Sequence, residues 1–288
     1  MTAFPQIVDG QAIRNLPIEK RIAAIFHGTV ALNKFADKNV CPKVQDAFQK
    51  TDHEKALAAT YYRMCLFLRA LAKLDETCHF QVAAMAARSI FELLLDLKAL
   101  ASDPTLTQKF FDFTWVSRYH KAKQLADFLQ KNPNVDRTRH QHALALVNKP
   151  GVNDHREQLC KSHGWVDRKG KLSWPKHWSG KDTPIRAKEA GIEYEEIYRS
   201  QFFIQSYYVH AGGAGIDSMS REALESAFAI AHALIQRLFA EATRIIAKAF
   251  HLFEGDESLH QRLAAVSAAP AFFAVQAAIQ QSETEKPK

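Results

Sequence analysis

Cysteine is sparse in this chain, with four residues at Cys41, Cys65, Cys78 and Cys160. They are scattered and form no C-x-x-C pair, which excludes zinc ribbons and the usual dithiol redox motif and places the protein in a reducing, cytoplasmic setting. The N-terminus, MTAFPQIVDGQAIRN, has no basic segment leading into an apolar one, so no secretory signal is expected. No uninterrupted apolar run approaches the ~18 residues of a membrane span, so no membrane partner is expected. Strand-like alternation and fixed-period repeats are also missing. So are G-x-x-x-x-G-K-[ST], G-x-G-x-x-G and H-E-x-x-H, and neither a cofactor nor a metal is expected.

What is present is apolar and basic. Hydrophobic residues make up 47% of the 288, ample for a core, and the formal charge is +7 with a pI near 9.2. Residues 161–188 hold eight Lys and Arg against Asp167 and Asp182, a local net of +6. A charge of that sign and density suits a polyanionic partner.

Helical spacing of apolar residues runs through most of the chain. Pro17–Ala36 carries Ile18, Ile22, Ile25, Phe26 and Val30; Thr51–Leu74 carries Leu57, Tyr61, Met64, Leu68 and Leu71, with Thr51 or Asp52 as cap. Cys78–Ala101 comes next as the second arm of a helical hairpin. Ser102-Asp103-Pro104 restarts a helix that runs to about Gln130, and Asp136–Val147 and Val152–His163 read as shorter ones. Ser218 and Ser220 can cap a long helix, Arg221–Phe253, whose apolar seam predicts either a homodimer interface or a continuous seam between layers. The fold class is all-α: a helical bundle of about seven to nine helices interrupted by a long basic, Trp-rich loop. We expect an N-terminal helical extension (1–50), a main bundle (51–255), and a C-terminal helix with a polar tail (256–288).

Two helices carry polar stripes among apolar surroundings. Glu193–His210, closed by Gly212, Gly213 and Gly215, sets Arg199, Phe203, Ser206 and His210 on one face. In AAMAARSIFELLLDLKALA, Arg88, Glu92 and Asp96 recur at i, i+4, i+8, with leucines on the other faces. A buried network is expected, with Glu92 and Asp96 set against Arg199 and His210. Whether such a cluster is catalytic or only fixes helix register stays open.

The run Arg88-Ser89-Ile90-Phe91-Glu92 resembles a bacterial family of helical proteins known only as a domain of unknown function. So does the distal set His177-Trp178-Ser179-Gly180, Arg186-Ala187, Gly191, Tyr194 with Tyr198, and S-x-x-V-H ending at His210. The resemblance implies an all-α fold and a cluster of Arg88, Glu92, Ser206 and His210. Families of this appearance are grouped by analogy with HEPN-type helical proteins, many of them RNA-cleaving toxins or defence effectors. Their nuclease signature is an Arg, four to six residues, then a His on one helix. Arg156 and His163 in HREQLCKSHG supply an alternative catalytic pair of that form, although Glu157 departs from the usual pattern.

The segment HGWVDRKGKLSWPKHWSGKD interleaves Trp165, Trp174 and Trp178 with Lys169, Lys171 and Lys176. Aromatics that stack on bases beside cations that meet phosphates suit RNA or single-stranded DNA. The alternative is that the tryptophans anchor the loop and the lysines face water. The sequence therefore predicts a binding module for nucleic acid or a protein partner, in a toxin or phage-defence setting. The competing expectation is a metal-independent HEPN-like endoribonuclease.

Overall fold

The computed structural model of the chain describes residues 18–46, 50–166, 169–173, 175–202, 220–259, 261, 263 and 264. It is all-α. The helices are α1 (Ile18–Asn39), α2 (Cys41–Gln45), α3 (Asp52–Leu71), α4 (Phe80–Ser102), α5 (Leu106–Lys131), α6 (Gln141–Val147), α7 (Val152–Ser162), α8 (Thr183–Ala190), α9 (Ile192–Ile197) and α10 (Arg221–Ala249). A π turn, Tyr198–Phe202, continues directly from α9. The only extended pairing among the described residues is an isolated antiparallel bridge between Val166 and Leu172.

The chain divides into two compact units, one of residues 1–102 and 187–288, the other of residues 103–186. The breaks expected near residues 50 and 255 are therefore replaced by breaks at 102/103 and 186/187. Helix α1 is no extension. It packs on α10 and α3, because Ile22, Ile25, Leu32, Phe35 and Ala36 need cover and α10 supplies it.

In the first unit α10 is the central rod, ~44 Å long at 1.5 Å per residue. Its seam of Phe228, Ala231, Ile235, Leu238, Ala242 and Ile246 is buried, and α4, α1 and α3 all pack against it. Each large member of that seam contributes ~2 kcal/mol of burial. The stripe is thus covered within one chain, which removes the reason to expect a homodimer there and leaves the intramolecular seam.

Local signals set the ends of several helices. Thr51 closes α3 with a full capping box: its hydroxyl accepts from Glu54 N (3.2 Å), and Glu54 Oε2 accepts from Thr51 N (3.0 Å). Ser220 caps α10 by accepting from Ala223 N. The restart at Asp103-Pro104 works differently from the expected Pro-first helix. Asp103 Oδ1 accepts from the backbone N and the hydroxyl of Thr105, and this turn delays α5 until Leu106.

Polar residues on α10 lock it to α1. Gln236 Nε2 donates to Ile25 O (2.6 Å) and to Thr29 Oγ1 (2.9 Å), and Thr29 Oγ1 lies 2.9 Å from His232 Nδ1. The Thr29 hydroxyl thus accepts from Gln236 and also pairs with His232 Nδ1. The imidazole sits between the rings of Phe26 (5.8 Å) and Phe228 (4.3 Å). Burial alone pulls its pKa down to about 4. Gly28 is required by close approach: a Cβ there would stand 2.5 Å from Gln236 Oε1.

The second unit is built on α5, with α6 and α7 packed along it. Its apolar centre is Val116, Cys160 and Trp165, flanked by Phe113, Trp115 and Leu159.

Candidate functional site

In the first unit α4 carries the expected stripe, but at the edge of the core. Arg88 Nε stands 3.7 Å from Glu92 Oε1, and the two side chains remain 34% and 40% exposed. The expectation of a buried pair is thus corrected. This flank of α4 also exposes Gln81, Val82 and Met85, so the leucines cover the other faces and not this one. Only Asp96, farther along the stripe, is buried. The Arg88 guanidinium lies 4.9 Å over the Phe202 ring, which also meets Phe91 at 5.5 Å.

Arg199 does not face Glu92 or Asp96. It is 75% exposed and pairs with Glu195 Oε1 through Nε (2.9 Å) and Nη2 (2.7 Å). The expected stripe also starts inside a π turn, Tyr198–Phe202, where regular α-helical spacing does not apply. Ser206 and His210, with the glycines expected to end this helix, lie outside the described residues.

A different polar contact joins α4, α9 and α10. Lys98 Nζ donates to Tyr194 OH (3.2 Å) and stands 4.3 Å from the centre of that ring; Tyr194 OH donates to Glu241 Oε1 (3.4 Å). Burial, reinforced by Glu241 and Glu193, pushes the Tyr194 phenol well above its usual range, so it stays protonated and acts as a donor. Sequence reasoning missed this trio because Lys98 falls outside the i, i+4 stripe that drew attention to α4.

In the second unit the tryptophans of the basic loop face inward. Trp165 and Trp178 are 2% and 3% exposed, and Trp165 Nε1–H donates to Trp178 O (3.1 Å). Trp165 meets Phe113 edge-on (6.1 Å) and His163 (4.8 Å), while Trp178 meets Phe110 edge-on (5.7 Å). Both are core residues that anchor the loop, and neither offers a face for a base, which corrects their placement as stacking platforms. Trp174 lies outside the described residues. Lys169, Lys171 and Lys176 are exposed, as the anchored-loop alternative requires.

The alternative pair resolves into two different environments. Arg156, on α7, pairs with Glu157 Oε1 (3.4 Å) and lies 6.0 Å over the Tyr119 ring. His163 is the C-terminal cap of α7, and its Nε2 stands 2.8 Å from Asp112 Oδ2. Gln108 Nε2 donates to the other oxygen of Asp112 (2.9 Å), so the carboxylate is itself fixed. An imidazole held by an oriented carboxylate is a geometry able to relay protons. The sequence contained a sign of it: Gln108, Asp112, Trp115 and Tyr119 recur at i, i+4, i+7, i+11 along α5.

Charge separates the two units sharply. Residues 103–186 hold 16 Lys and Arg against 8 Asp and Glu, a net of +8, and the remaining residues are net −1. Crowding of cations is visible at Lys109, whose pKa is pulled down by burial and by Lys181 nearby. Among the described residues no three His, Cys, Asp or Glu come together as a metal site, and no helix is long and apolar enough to cross a membrane.

No curated protein and no solved structure matches the chain. A family described as "Family of unknown function (DUF5677)" matches residues 54–225, from the first turns of α3 into the start of α10. With well over half its length matched, and with the all-α architecture that its stripes predict, the chain belongs to the DUF5677 family of unknown function.

Proposed function

We propose that the chain is a helical binding module that takes single-stranded nucleic acid, RNA foremost, on the basic surface of residues 103–186. The observation that carries this reading is the charge division: +8 on that unit against −1 on the rest. Lysines there exchange condensed counterions for phosphates, which makes binding favourable and salt-dependent. The buried Trp165 and Trp178 serve by holding the loop so that Lys169, Lys171 and Lys176 project from it. Recognition of this kind is electrostatic and largely independent of base sequence.

The test is anisotropy of labelled oligouridine RNA and oligothymidine DNA titrated at several salt concentrations. Affinity should fall steeply with salt. Converting Lys169, Lys171 and Lys176 together to Gln should weaken binding and reduce the slope of log K against log salt by ~0.7 for each lost phosphate contact. Absence of binding to either oligomer at low ionic strength would overturn the reading and make this surface a protein-docking one.

A second reading, a metal-independent HEPN-like endoribonuclease of a toxin or defence system, is favoured by the His163–Asp112 pair. It predicts RNA cleavage in the presence of chelator. His163→Asn should abolish cleavage while leaving binding intact.

A further inference from the structure

The exclusion of a C-x-x-C motif does not extend to three dimensions. Cys41, at the start of α2, and Cys65, midway along α3, are brought together with their Sγ atoms 3.5 Å apart. Both are buried, Cys41 at 8% exposure and Cys65 at 1%. Beside them, the half-exposed Asp37–Arg69 ion pair bonds through Arg69 Nε (2.9 Å) and Nη2 (2.7 Å). Sulfurs at this distance need to close by ~1.5 Å to reach the S–S bond length.

We infer that Cys41 and Cys65 form an oxidisable dithiol, a modification site at which a hydroperoxide introduces a disulfide between α2 and α3. The two thiols have unequal roles. Hydrogen bonding from Cys65 favours the Cys41 thiolate; burial and Asp37 oppose this, and Arg69 assists it. Cys65 moves the opposite way, chiefly because it donates that bond and lies deeper. The thiolate is the attacking species in peroxide chemistry, and the more exposed of the two sulfurs is the one that carries it.

Cys41 Sγ attacks one peroxide oxygen, the O–O bond breaks, and the departing hydroxide takes a proton to leave as water. Cys41 is then a sulfenic acid. Cys65 Sγ, losing its proton, attacks the Cys41 sulfur; the S–O bond breaks and the hydroxyl leaves as a second water. Two electrons pass from the sulfurs to hydrogen peroxide, and two thiols become one disulfide. Cys78 and Cys160 have no such partner: Cys78 is exposed beside Glu76, and Cys160 is packed in the other unit against Val116 and Trp165.

The inference is independent of nucleic-acid binding. Its test treats the folded full-length protein with hydrogen peroxide while circular dichroism confirms that helicity is unchanged. Free thiols are then alkylated in denaturant and the digest is mapped without reduction. The expected result is a linked peptide pair containing Cys41 and Cys65, two hydrogens lighter than the two reduced peptides together, and its disappearance on adding dithiothreitol. A Cys65→Ser variant should instead give a Cys41 sulfenic acid that dimedone captures. Because the wild-type map decides the matter, poor folding of the variant would not obscure it. Alkylation of both Cys41 and Cys65 after peroxide treatment, under conditions that oxidise exposed Cys78, would overturn the inference.

Discussion

Mild acid should loosen the α1–α10 interface through one residue, His232. The imidazole is wholly buried between Phe26 and Phe228, and burial alone lowers its pKa from 6.5 to about 4. Above pH 6.5 the ring is neutral in both folded and unfolded chains and pH has no effect through it. Between these two values the unfolded chain binds a proton that the folded one does not, so stability falls as pH falls. The loss is ~2 kcal/mol at pH 5 and levels off at ~3 kcal/mol once pH drops below the folded value. Urea titrations at pH 7 and pH 5 followed by far-UV circular dichroism measure it. All four tryptophans lie within residues 103–186, so their emission reports the other unit and serves as an internal control. His232→Phe keeps an aromatic ring in the slot and removes the titration. Its loss between pH 7 and pH 5 should be smaller than that of wild type by ~2 kcal/mol. Parallel losses in the two proteins would show that His232 titrates as an exposed histidine and would refute the reasoning.

Two further substitutions test the packing. Gly28→Ala puts a Cβ 2.5 Å from Gln236 Oε1 while Gln236 Nε2 is tied to Ile25 O and Thr29, so it should cost ~1–3 kcal/mol; an unchanged urea midpoint would show that the glutamine yields freely. Trp165→Ala removes the centre of the second unit and should cost it ~3–5 kcal/mol. The midpoint of the remaining tryptophan emission should then fall much further than the dichroism transition.

Much of the first unit was legible in the sequence because its signals are local. The Thr51 cap, the Ser220 cap and the seam from Phe228 to Ala242 each involve residues within a few turns of one another. The i, i+4 spacing of Arg88 and Glu92 was also correct as spacing, and the two side chains do pair. Their burial was not legible. Periodicity states which residues share a face of a helix but not whether a neighbour covers that face, and here the leucines of α4 turn inward while Arg88, Glu92, Val82 and Met85 remain at the rim. The loop tryptophans show the converse. Their company of lysines suggested exposure, yet Trp165 and Trp178 had Phe113 and Phe110 of α5 available to pack against, more than fifty residues earlier in the chain.

The sequence by itself determined that this protein is all-α, where most of its helices start and stop, and that its basic charge is concentrated around residues 161–188. These features arise from backbone propensity, capping chemistry and composition, which are properties of short stretches. Tertiary structure alone decided that the chain divides at residues 102 and 186, and that Arg199 pairs with Glu195 at the surface. It also decided the pairings Cys41 with Cys65, Asp112 with His163, and Thr29 with His232. These pairs are 24, 51 and 203 residues apart, and no local pattern encodes them. Each is brought together only when apolar burial along α3, α5 and α10 offsets the entropy of closing the intervening chain.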